Sequence, residues 1–368
     1  MAVLLQGLFN FVYKVLTAMP IRSRTARSPL FPLALFGAVL MMPLGAAAET
    51  TSIRFQLDWR FEGPAAPFLM AAEKGYFAEE GLQVQIDSGS GSAGAVNRVA
   101  SGAYEMGFGD LNALVEFLAE NPEGPGIKGV YIVYDGTPAA VFARKESGIE
   151  SPADLAGKTI AAPAFDTGYR AWGIFAAANG LEADAVAWQN VDPALRETLL
   201  TRGDVDAITG FYFTSLLNLE ERGMSEDELT IMPFPDYGVP LYGNAILVSD
   251  AFADANPEAV KGFLRAFNRA LGETLADPEA AIEYVRNRDG LIDVEMETRR
   301  LKLALESVVD TPDAREYGVG GVDDERLSQA IQLVADAYEL PTLPSPDQVF
   351  DSRYLPPVEE RMLLPEAE

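Results

Sequence analysis

Apolar and polar residues alternate in several short segments of the chain, and helical patterns separate most of these segments. Ile53, Phe55 and Leu57 begin the series and predict a first strand that ends at Asp58-Trp59. The same pattern predicts further strands at residues 81–87, 105–109, 127–134, 159–162, 186–190 and 207–209. Strands that alternate with helices are typical of parallel α/β units.

The α/β pattern starts a second time at Ser151, where Ser151 and Asp154 can cap a short helix before the strand at residues 159–162. The chain becomes apolar again from Tyr242 to Val248. Helical patterns follow at residues 257–284, 294–308 and 324–338, and prolines mark an irregular tail from Pro341. This order predicts two α/β lobes with a chain that crosses between them.

The first 48 residues have the order of a secretory signal peptide. Arg22, Arg24 and Arg27 precede an uncharged apolar stretch at residues 30–44, and the small residues 45–48 follow it. We expect cleavage after Ala48 and a periplasmic protein without stable membrane insertion. An uncleaved anchor is the alternative, but prolines within the stretch favour cleavage. An upstream start that is not normally translated is one interpretation of residues 1–18.

The charge balance excludes two classes of partner. The chain has 55 acidic against 28 basic residues and a formal net charge of −27. A protein of this charge repels nucleic acid and anionic lipid headgroups. Solvation of a soluble protein explains the acidic surface better than recruitment of a cation does.

The sequence contains neither Cys nor His. It therefore lacks disulfides, thiol nucleophiles, the usual acid/base side chain and the usual zinc and haem ligands. We expect a carrier or binder, with no enzyme activity, no metal and no cofactor. A hydrolase that uses carboxylates alone is formally open, although no spacing in the sequence supports it.

Five motifs in a fixed order resemble a known family. They are Leu57-Asp58-Trp59, AEKGYFAEEGL at residues 72–82, GSGS at 89–92, ASGAYEMG at 100–107 and SPADLAGKTI at 151–160. Together they resemble the periplasmic substrate-binding proteins of ABC importers, in the branch that binds thiamine pyrimidine precursors, nitrate, alkanesulfonates and riboflavin. The similarity extends from about Ile53 to Tyr338.

The resemblance implies a bilobal periplasmic-binding-protein fold, in which two α/β lobes joined by two crossover segments close on one small ligand. Lobe one would comprise residues 49–138 and 243–368, and lobe two residues 139–242. The implied partners are a small-molecule ligand and an ABC permease with its ATPase. The fold also hosts a fungal pyrimidine synthase that consumes its own His, and a chain without His cannot perform that chemistry.

Ligands of open α/β sheets lie beyond the carboxyl ends of the strands. The loops at those ends supply the candidate ligand-binding residues: Asp58, Trp59, Glu62, Ser90, Gly91, Ser92, Asp110 and Asn112 from lobe one, and Phe165, Asp166, Thr167, Tyr169, Tyr212 and Tyr237 from lobe two.

The candidate residues have distinct chemistry. The Gly/Ser loop offers backbone N–H groups, the aromatic rings can stack on a flat ligand, and the carboxylates can accept from N–H groups. Each type has a structural alternative, since aromatic rings also pack in cores and aspartates at strand ends also cap helices.

The acid-rich loops favour a nitrogenous aromatic heterocycle, such as a pyrimidine or another vitamin precursor. The alternatives are an anion of the nitrate or alkanesulfonate type, and a ligand-loaded partner of a membrane sensor. Pyrimidine-precursor binders typically follow Asp-Trp with Pro-Asn and then His, whereas this chain has Phe61-Glu62 and Ala65. The motif therefore does not specify their particular pyrimidine.

Overall fold

The computed structural model describes residues 50–363, and the fold of this range is built on two sheets. The expected signal peptide, its cleavage site after Ala48, and the outer ends of lobe one at residues 49 and 368 lie outside the described residues. Within residues 50–363, no helix is both long enough and apolar enough to cross a membrane.

The described residues form ten strands, each of four to six residues. Their bounds are β1 Thr51–Gln56, β2 Leu82–Asp87, β3 Met106–Asp110, β4 Ile127–Ile132, β5 Ala139–Arg144, β6 Thr159–Ala162, β7 Ala187–Asn190, β8 Ala207–Phe211, β9 Leu229–Pro233 and β10 Asn244–Ser249.

Helices cover the faces of both sheets. Their bounds are α1 Ala66–Glu73, α2 Tyr76–Glu79, α3 Ser92–Ala100, α4 Leu111–Glu120, α5 Thr167–Arg170, α6 Trp172–Ala178, α7 Pro193–Arg202, α8 Tyr212–Glu221, α9 Asp250–Ala255, α10 Pro257–Ala276, α11 Pro278–Arg288, α12 Val294–Ala304, α13 Pro312–Tyr317, α14 Asp324–Ala337, α15 Pro346–Val349 and α16 Val358–Arg361. A π-helical turn at Leu305–Val309 follows α12, and short 3₁₀ turns include Gly63–Ala65, Pro152–Leu155 and Phe234–Tyr237.

Each sheet is parallel except for one strand. Sheet one has the order β2-β1-β3-β10-β4, and β10 is antiparallel to both of its neighbours. Sheet two has the order β7-β6-β8-β5-β9, and β5 is antiparallel to both of its neighbours. Both sheets are therefore mixed, because β5 and β10 run opposite to their neighbours. These are the strands that the chain enters after passing from one sheet to the other.

Two crossing segments join the sheets, residues 133–138 and residues 234–243. They are hydrogen-bonded to each other: Gly243 N–H donates to the carbonyl of Tyr134 at 3.0 Å, and Tyr134 N–H donates to the carbonyl of Asn244 at 3.0 Å. A Cβ at Gly243 would lie 2.6 Å from the carbonyl oxygen of Gly136, so the close approach of the segments requires glycine there.

Arg326 of α14 holds both crossing segments. Its Nη1 donates to Asp135 Oδ1 at 3.1 Å, and its guanidinium lies 3.9 Å from the ring centroid of Tyr242. Asp135 belongs to the first segment and Tyr242 to the second. The connection between the sheets is therefore a pair of hydrogen-bonded segments that an arginine reinforces from one side.

An aromatic cluster under sheet one fixes β1, the strand that leads to Asp58. The Phe55 ring lies 5.0 Å from the rings of Phe68 in α1 and Phe263 in α10, and Phe68 lies 4.4 Å from Phe267. All four side chains are buried. Truncating a buried phenyl ring typically costs about 3–5 kcal/mol, so this packing rigidly anchors the start of the site.

The sequence pattern predicted seven of the ten described strands to within two residues, indicated β10 only as an apolar stretch, and missed two. Strand β6 has the predicted bounds, whereas β5 and β9 were not predicted. Strand β5 is an unbroken apolar run buried on both faces, so it shows no alternation, and β9 is an edge strand that ends in Pro233. The strands of sheet two lie between residues 139 and 233. The lobe boundaries at 138/139 and 242/243 stay a prediction, because the described residues belong to one compact unit.

Candidate functional site

A cavity of about 250 Å³ lies where the loops after strands of the two sheets meet. Sheet one contributes the segment after β1 and the start of α3, and sheet two contributes the segment after β6, the start of α7 and much of α8. The crossing segment adds Tyr134. A cavity of this size, open to solvent and walled from both sheets, suits one small ligand.

Asp58 lies at the start of the loop that follows β1 and is half-buried in the cavity wall. Its Oδ2 accepts a hydrogen bond from Asn244 Nδ2 at 2.8 Å. Burial raises the pKa of Asp58 to about 7, and the nearby carboxylates of Glu62 and Asp110 contribute, while the bond from Asn244 opposes the rise. The site therefore holds a carboxyl group that changes charge near neutral pH.

The Gly/Ser loop after β2 is used differently from the expectation. Gly89 N–H donates to the carbonyl of Trp59 at 2.7 Å, and Gly91 N–H donates to that of Asp58 at 2.6 Å. These N–H groups are therefore engaged by the protein and are not offered to a ligand. A Cβ at Gly89 would lie 2.0 Å from the Leu57 carbonyl oxygen, so the contact that positions the Asp58-Trp59 loop requires glycine.

Aromatic rings form much of the remaining wall, namely Trp59, Phe108, Tyr134, Phe165, Phe211 and Phe213. Phe165 is 43% exposed, and a Cβ at Gly91 would lie 2.9 Å from its ring, so loops of the two sheets meet at this point. Trp59 lies outside the packed hydrophobic clusters of residues 50–363. Its indole therefore presents surface to the cavity.

A buried carboxylate–guanidinium–carboxylate group lies on the side of sheet one. Arg300 Nε lies 3.1 Å from each carboxylate oxygen of Glu297 and 3.6 Å from Glu62 Oε2. Gly63 N–H donates to Glu297 Oε2 at 2.7 Å. Burial raises the pKa of Glu62 above its usual value against the attraction of Arg300. We call Glu62, Glu297 and Arg300 the first charged triad.

A second charged triad lies on the side of sheet two and consists of Asp166, Arg196 and Glu197. Arg196 donates to Asp166 Oδ2 at 3.0 Å, and its Nε and Nη2 donate to Glu197 Oε1 at 3.1 and 2.7 Å. Burial opposes the charge of Arg196, but Glu197 and Asp166 outweigh it and raise the pKa of Arg196. All three residues line the cavity.

Arg300 also connects the two sides of the cavity. Its Nη1 donates to the carbonyls of Phe213 and Thr214 in α8, at 3.3 and 3.2 Å, and the residue is 2% exposed. Thr167 donates to Asp110 Oδ2 across the cleft at 3.2 Å. The described structure therefore has direct polar contacts between the parts of the chain that carry the two sheets.

Eight of the predicted site residues line the cavity: Asp58, Trp59, Glu62, Gly91, Ser92, Phe165, Asp166 and Thr167. Ser90 does not. Asp110 is buried as the N-cap of α4, where it accepts from the N–H groups of Asn112 and Ala113. Asn112 donates to the carbonyl of Tyr242 at 2.8 Å, so both side chains are used in structural contacts.

The three other predicted tyrosines pack within the protein and do not line the cavity. Tyr169 lies edge-on to Trp188 with ring centroids 4.8 Å apart, and Tyr237 lies 5.9 Å from Phe175. Tyr212 packs against the apolar cluster of sheet two. These contacts place the three rings outside the cavity wall, and their role in ligand stacking stays a prediction.

The residues that sequence analysis missed reach the site from distant segments. They include Tyr134 and Asn244 at the crossings, Arg196 and Glu197 in α7, Phe211 and Phe213, and Glu297 and Arg300 in α12. Phe211 and Phe213 come shortly after the predicted strand at residues 207–209, on either side of the candidate Tyr212, whereas the charged residues of the set lie within helices. The adjacent Arg196-Glu197 pair has no feature that separates it from an exposed helical pair until the fold buries it.

No group of three or more His, Cys, Asp or Glu side chains in the described range is arranged to hold a metal ion.

Comparison with known proteins gives a family and a set of relatives. The NMT1/THI5 like family model matches residues 64–281, more than half of the chain. The 4-amino-5-hydroxymethyl-2-methylpyrimidine phosphate synthase of Aspergillus parasiticus is 28% identical over 244 residues, which cover 64% of this chain and 70% of the relative.

Two relatives are named as binding proteins. They are the riboflavin-binding protein RibY of Chloroflexus aurantiacus, 26% identical with coverage of 79% and 82%, and the formylaminopyrimidine-binding protein of Halalkalibacterium halodurans, 27% identical with coverage of 80% and 86%.

The fold is shared with solved structures of solute-binding proteins. The alkanesulfonate-binding protein SsuA from Xanthomonas axonopodis pv. citri, bound to MOPS, superposes with a TM-score of 0.64 at 16% identity, covering 82% of this chain and 99% of SsuA. At this identity the likeness concerns the fold alone. It confirms the bilobal α/β fold expected from the sequence, and the sequence relatives confirm the family resemblance.

Asp58 should make the stability of the ligand-free protein depend on pH. Because its pKa is raised from 3.8 to about 7, the folded protein holds a proton that the unfolded chain releases. This stabilising contribution is complete below pH 3.8 and is lost as the pH rises through about 7. We expect Asp58→Asn to flatten the stability profile in this window, measured by urea unfolding. The exposed control Asp347→Asn should keep the wild-type slope, and an unchanged slope in Asp58→Asn would contradict the raised pKa.

Proposed function

The chain belongs to the NMT1/THI5 like family, and we propose that it is an extracytoplasmic solute receptor that binds one small molecule between two closing lobes and delivers it to an ABC permease. The proposal rests on the cavity between the loops of the two sheets, which is lined by aromatic rings and carboxylates from both sides. The favoured ligand is a nitrogenous aromatic heterocycle, such as a pyrimidine or another vitamin precursor. Trp59 and Phe165 provide faces for stacking, and Asp58 accepts from N–H groups on the ligand edge.

An anion of the alkanesulfonate or nitrate type is the second candidate, and the likeness to SsuA is the reason to keep it. The charges of the cavity favour the heterocycle. Arg196 donates to Asp166, Glu197 and Ser215, and Arg300 donates to Glu297 and to two carbonyls of α8. Both buried guanidiniums are thus already engaged with acceptors of the protein. A pull-down with the permease would separate a transport receptor from a sensor partner.

A synthase is less well supported than a receptor, although a relative bears that name. The resemblance ties the synthase reaction to a histidine of the protein itself, and this sequence has no His. We therefore propose binding without turnover.

The leader pattern supports export of the receptor. Arg22, Arg24 and Arg27 precede an apolar stretch and the residues Ala46-Ala47-Ala48. We expect the protein recovered from the periplasm to begin at Glu49, as measured by intact mass spectrometry. A protein that keeps residues 30–44 in the membrane fraction would contradict this.

A thermal-shift screen over nitrogen heterocycles, alkanesulfonates and nitrate tests the ligand class. A ligand that binds only the folded protein raises the melting temperature. We expect a heterocycle to give the largest rise. A larger rise with a sulfonate or nitrate would favour the second candidate, and no rise with any compound would count against the receptor.

Trp59→Ala tests the site with the ligand that the screen identifies. Loss of a stacking anchor should weaken binding by about 2–4 kcal/mol, or roughly thirtyfold to a thousandfold, measured by calorimetric titration. Trp188→Ala is the matched control, because Trp188 packs on Tyr169 and Trp172 away from the cavity. The control should lower the melting temperature and leave the affinity unchanged. If Trp59→Ala behaves in the same way, Trp59 is a packing residue.

Arg300→Gln tests lobe closure. The substitution removes the buried bonds from α12 to Phe213 and Thr214, so the ligand should dissociate at least tenfold faster, a loss of about 1.4 kcal/mol. Arg299→Gln, the control, removes only an exposed ion pair between α12 and Glu220 of α8, and it should change the dissociation rate less than threefold. Small-angle scattering should show a smaller radius of gyration with ligand in the wild type, and a weaker decrease in Arg300→Gln. Equal dissociation rates in the two variants would show that Arg300 does not support closure.

A further inference from the structure

The cavity lies between two buried groups that each contain two carboxylates and one guanidinium. The first charged triad, Glu62, Glu297 and Arg300, belongs to the side of sheet one. The second, Asp166, Arg196 and Glu197, belongs to the side of sheet two. With all members ionised, each triad carries a net charge of −1, and Asp58 adds a further acid to the first side.

The carboxylates of the second triad accept hydrogen bonds from several elements of the fold. Asp166 Oδ1 accepts from Thr209 Oγ1 at 2.7 Å and from Tyr169 N–H at 3.1 Å, in addition to the bond from Arg196. Glu197 accepts from Arg196 and from Ser215 Oγ at 3.0 Å. Glu197 is 1% exposed and Arg196 8%, so solvent does little to offset the excess negative charge.

In the first charged triad, Arg300 balances the negative charge of Glu62 less closely than that of Glu297. Glu297 takes both close contacts with Arg300 and the Gly63 N–H, whereas Glu62 lies 3.6 Å from the same guanidinium and lines the cavity. Asp58, in the same loop, has Asn244 as its side-chain donor. Arg60 and a hydrogen bond from Trp59 also act on Glu62. The carboxylates that face the cavity on this side still lack the direct guanidinium bonds that Glu297 has.

The remaining charges in the lining do not balance these groups. Arg222 lies 3.8 Å from Glu221, and both side chains are partly or largely exposed. Arg60 is exposed, with its guanidinium 5.4 Å from the ring centroid of Trp59. Solvent screens such charges at the rim far more than it screens the buried triads.

We propose, on the basis of the receptor function above, that the ligand binds as a cation whose positive charge lies between the Asp58–Glu62 side and the Asp166–Arg196–Glu197 side of the cavity, and that anions are rejected. A protonated nitrogen heterocycle and an aromatic amidine belong to this chemical class. Buried negative charge without a partner is unfavourable, and a ligand cation supplies the partner that the protein omits. Like charge disfavours an anion in the same place.

The charges around Asp58 determine how cation binding depends on pH. Arg60, Glu297 and Arg300 act on the neighbouring Glu62. Asp58 itself is faced by Glu62 of its own loop, by Asp110 at the end of β3 and by Tyr134 of the first crossing segment. The acids among them disfavour ionisation of Asp58 in the empty cavity. A bound cation favours the ionised form of Asp58, so binding of the cation releases a proton. The affinity for a permanent cation should therefore rise as the pH rises through about 7.

The test uses three flat probes of nearly equal size that differ in charge: benzamidinium, benzamide and benzoate. Calorimetric titration and thermal shift at pH 5.5 and 8.5 would compare them on the wild-type protein. We expect benzamidinium to bind at least tenfold tighter than benzamide at pH 8.5, and benzoate to give no shift. Affinity for benzamidinium should rise by up to roughly thirtyfold between the two pH values, as expected for a group with a pKa near 7.

Two substitutions separate charge from shape. Glu62→Gln should reduce the preference for benzamidinium over benzamide at least threefold, while Asp58→Asn should remove most of the pH dependence. The exposed control Glu123→Gln should change neither. Circular dichroism of each variant shows whether it folds, and the wild-type charge series tests the proposal independently of any variant.

The outcomes distinguish this inference from the receptor function. Benzamide or benzoate binding as tightly as benzamidinium, or no shift with benzamidinium at millimolar concentration, would overturn the cationic ligand. The receptor would still stand if a compound of the wider screen binds and compacts the protein. Failure of the series together with failure of that screen would remove both.

Discussion

The paired crossing segments are the constraint on which the rest of the structure depends. Backbone hydrogen bonds join Tyr134 to Gly243 and Asn244, and Arg326 contacts both segments from one side. Asn244 then begins β10 and donates to Asp58 from the same position. Hydrogen bonds thus connect the crossing segments to the part of the cavity wall that contains Asp58. A change in the angle between the sheets therefore acts directly on the surroundings of the Asp58 carboxylate.

The guanidiniums of Arg196 and Arg300 donate hydrogen bonds to acceptors of the protein itself. Arg196 organises the start of α5 and α7 through Asp166 and Glu197, and Arg300 joins α12 to α8. Buried ion pairs of this kind contribute little net stability but strongly penalise the loss of one partner. They therefore fix where the walls of the cavity stand. The carboxylates left over from this pairing determine the electrostatic character of the space between them.

Sequence reasoning located the part of the site that follows from strand order. Asp58 and Trp59 were found because they end an alternating strand, and Asp166 and Thr167 because they follow β6. Asp110 has the same sequence signal but caps α4, since a strand-end aspartate suits either role. The role of Arg300 could not be predicted from the sequence, because nothing local in α12 indicates that Glu62 will lie beside it. Local patterns thus predicted the loops, whereas the charges opposite them depend on tertiary packing.

The position of β10 has a consequence for the order in which the protein can assemble. Sheet two is made from one continuous stretch, residues 139–233, whereas sheet one waits for β10 to fill the place between β3 and β4. Until residue 249 has been synthesised, β3 and β4 have no strand between them and expose hydrogen-bonding edges. The part of the chain made first is therefore among the last to be completed. A nascent chain is vulnerable to mispairing along the two strand edges that β10 covers in the finished protein.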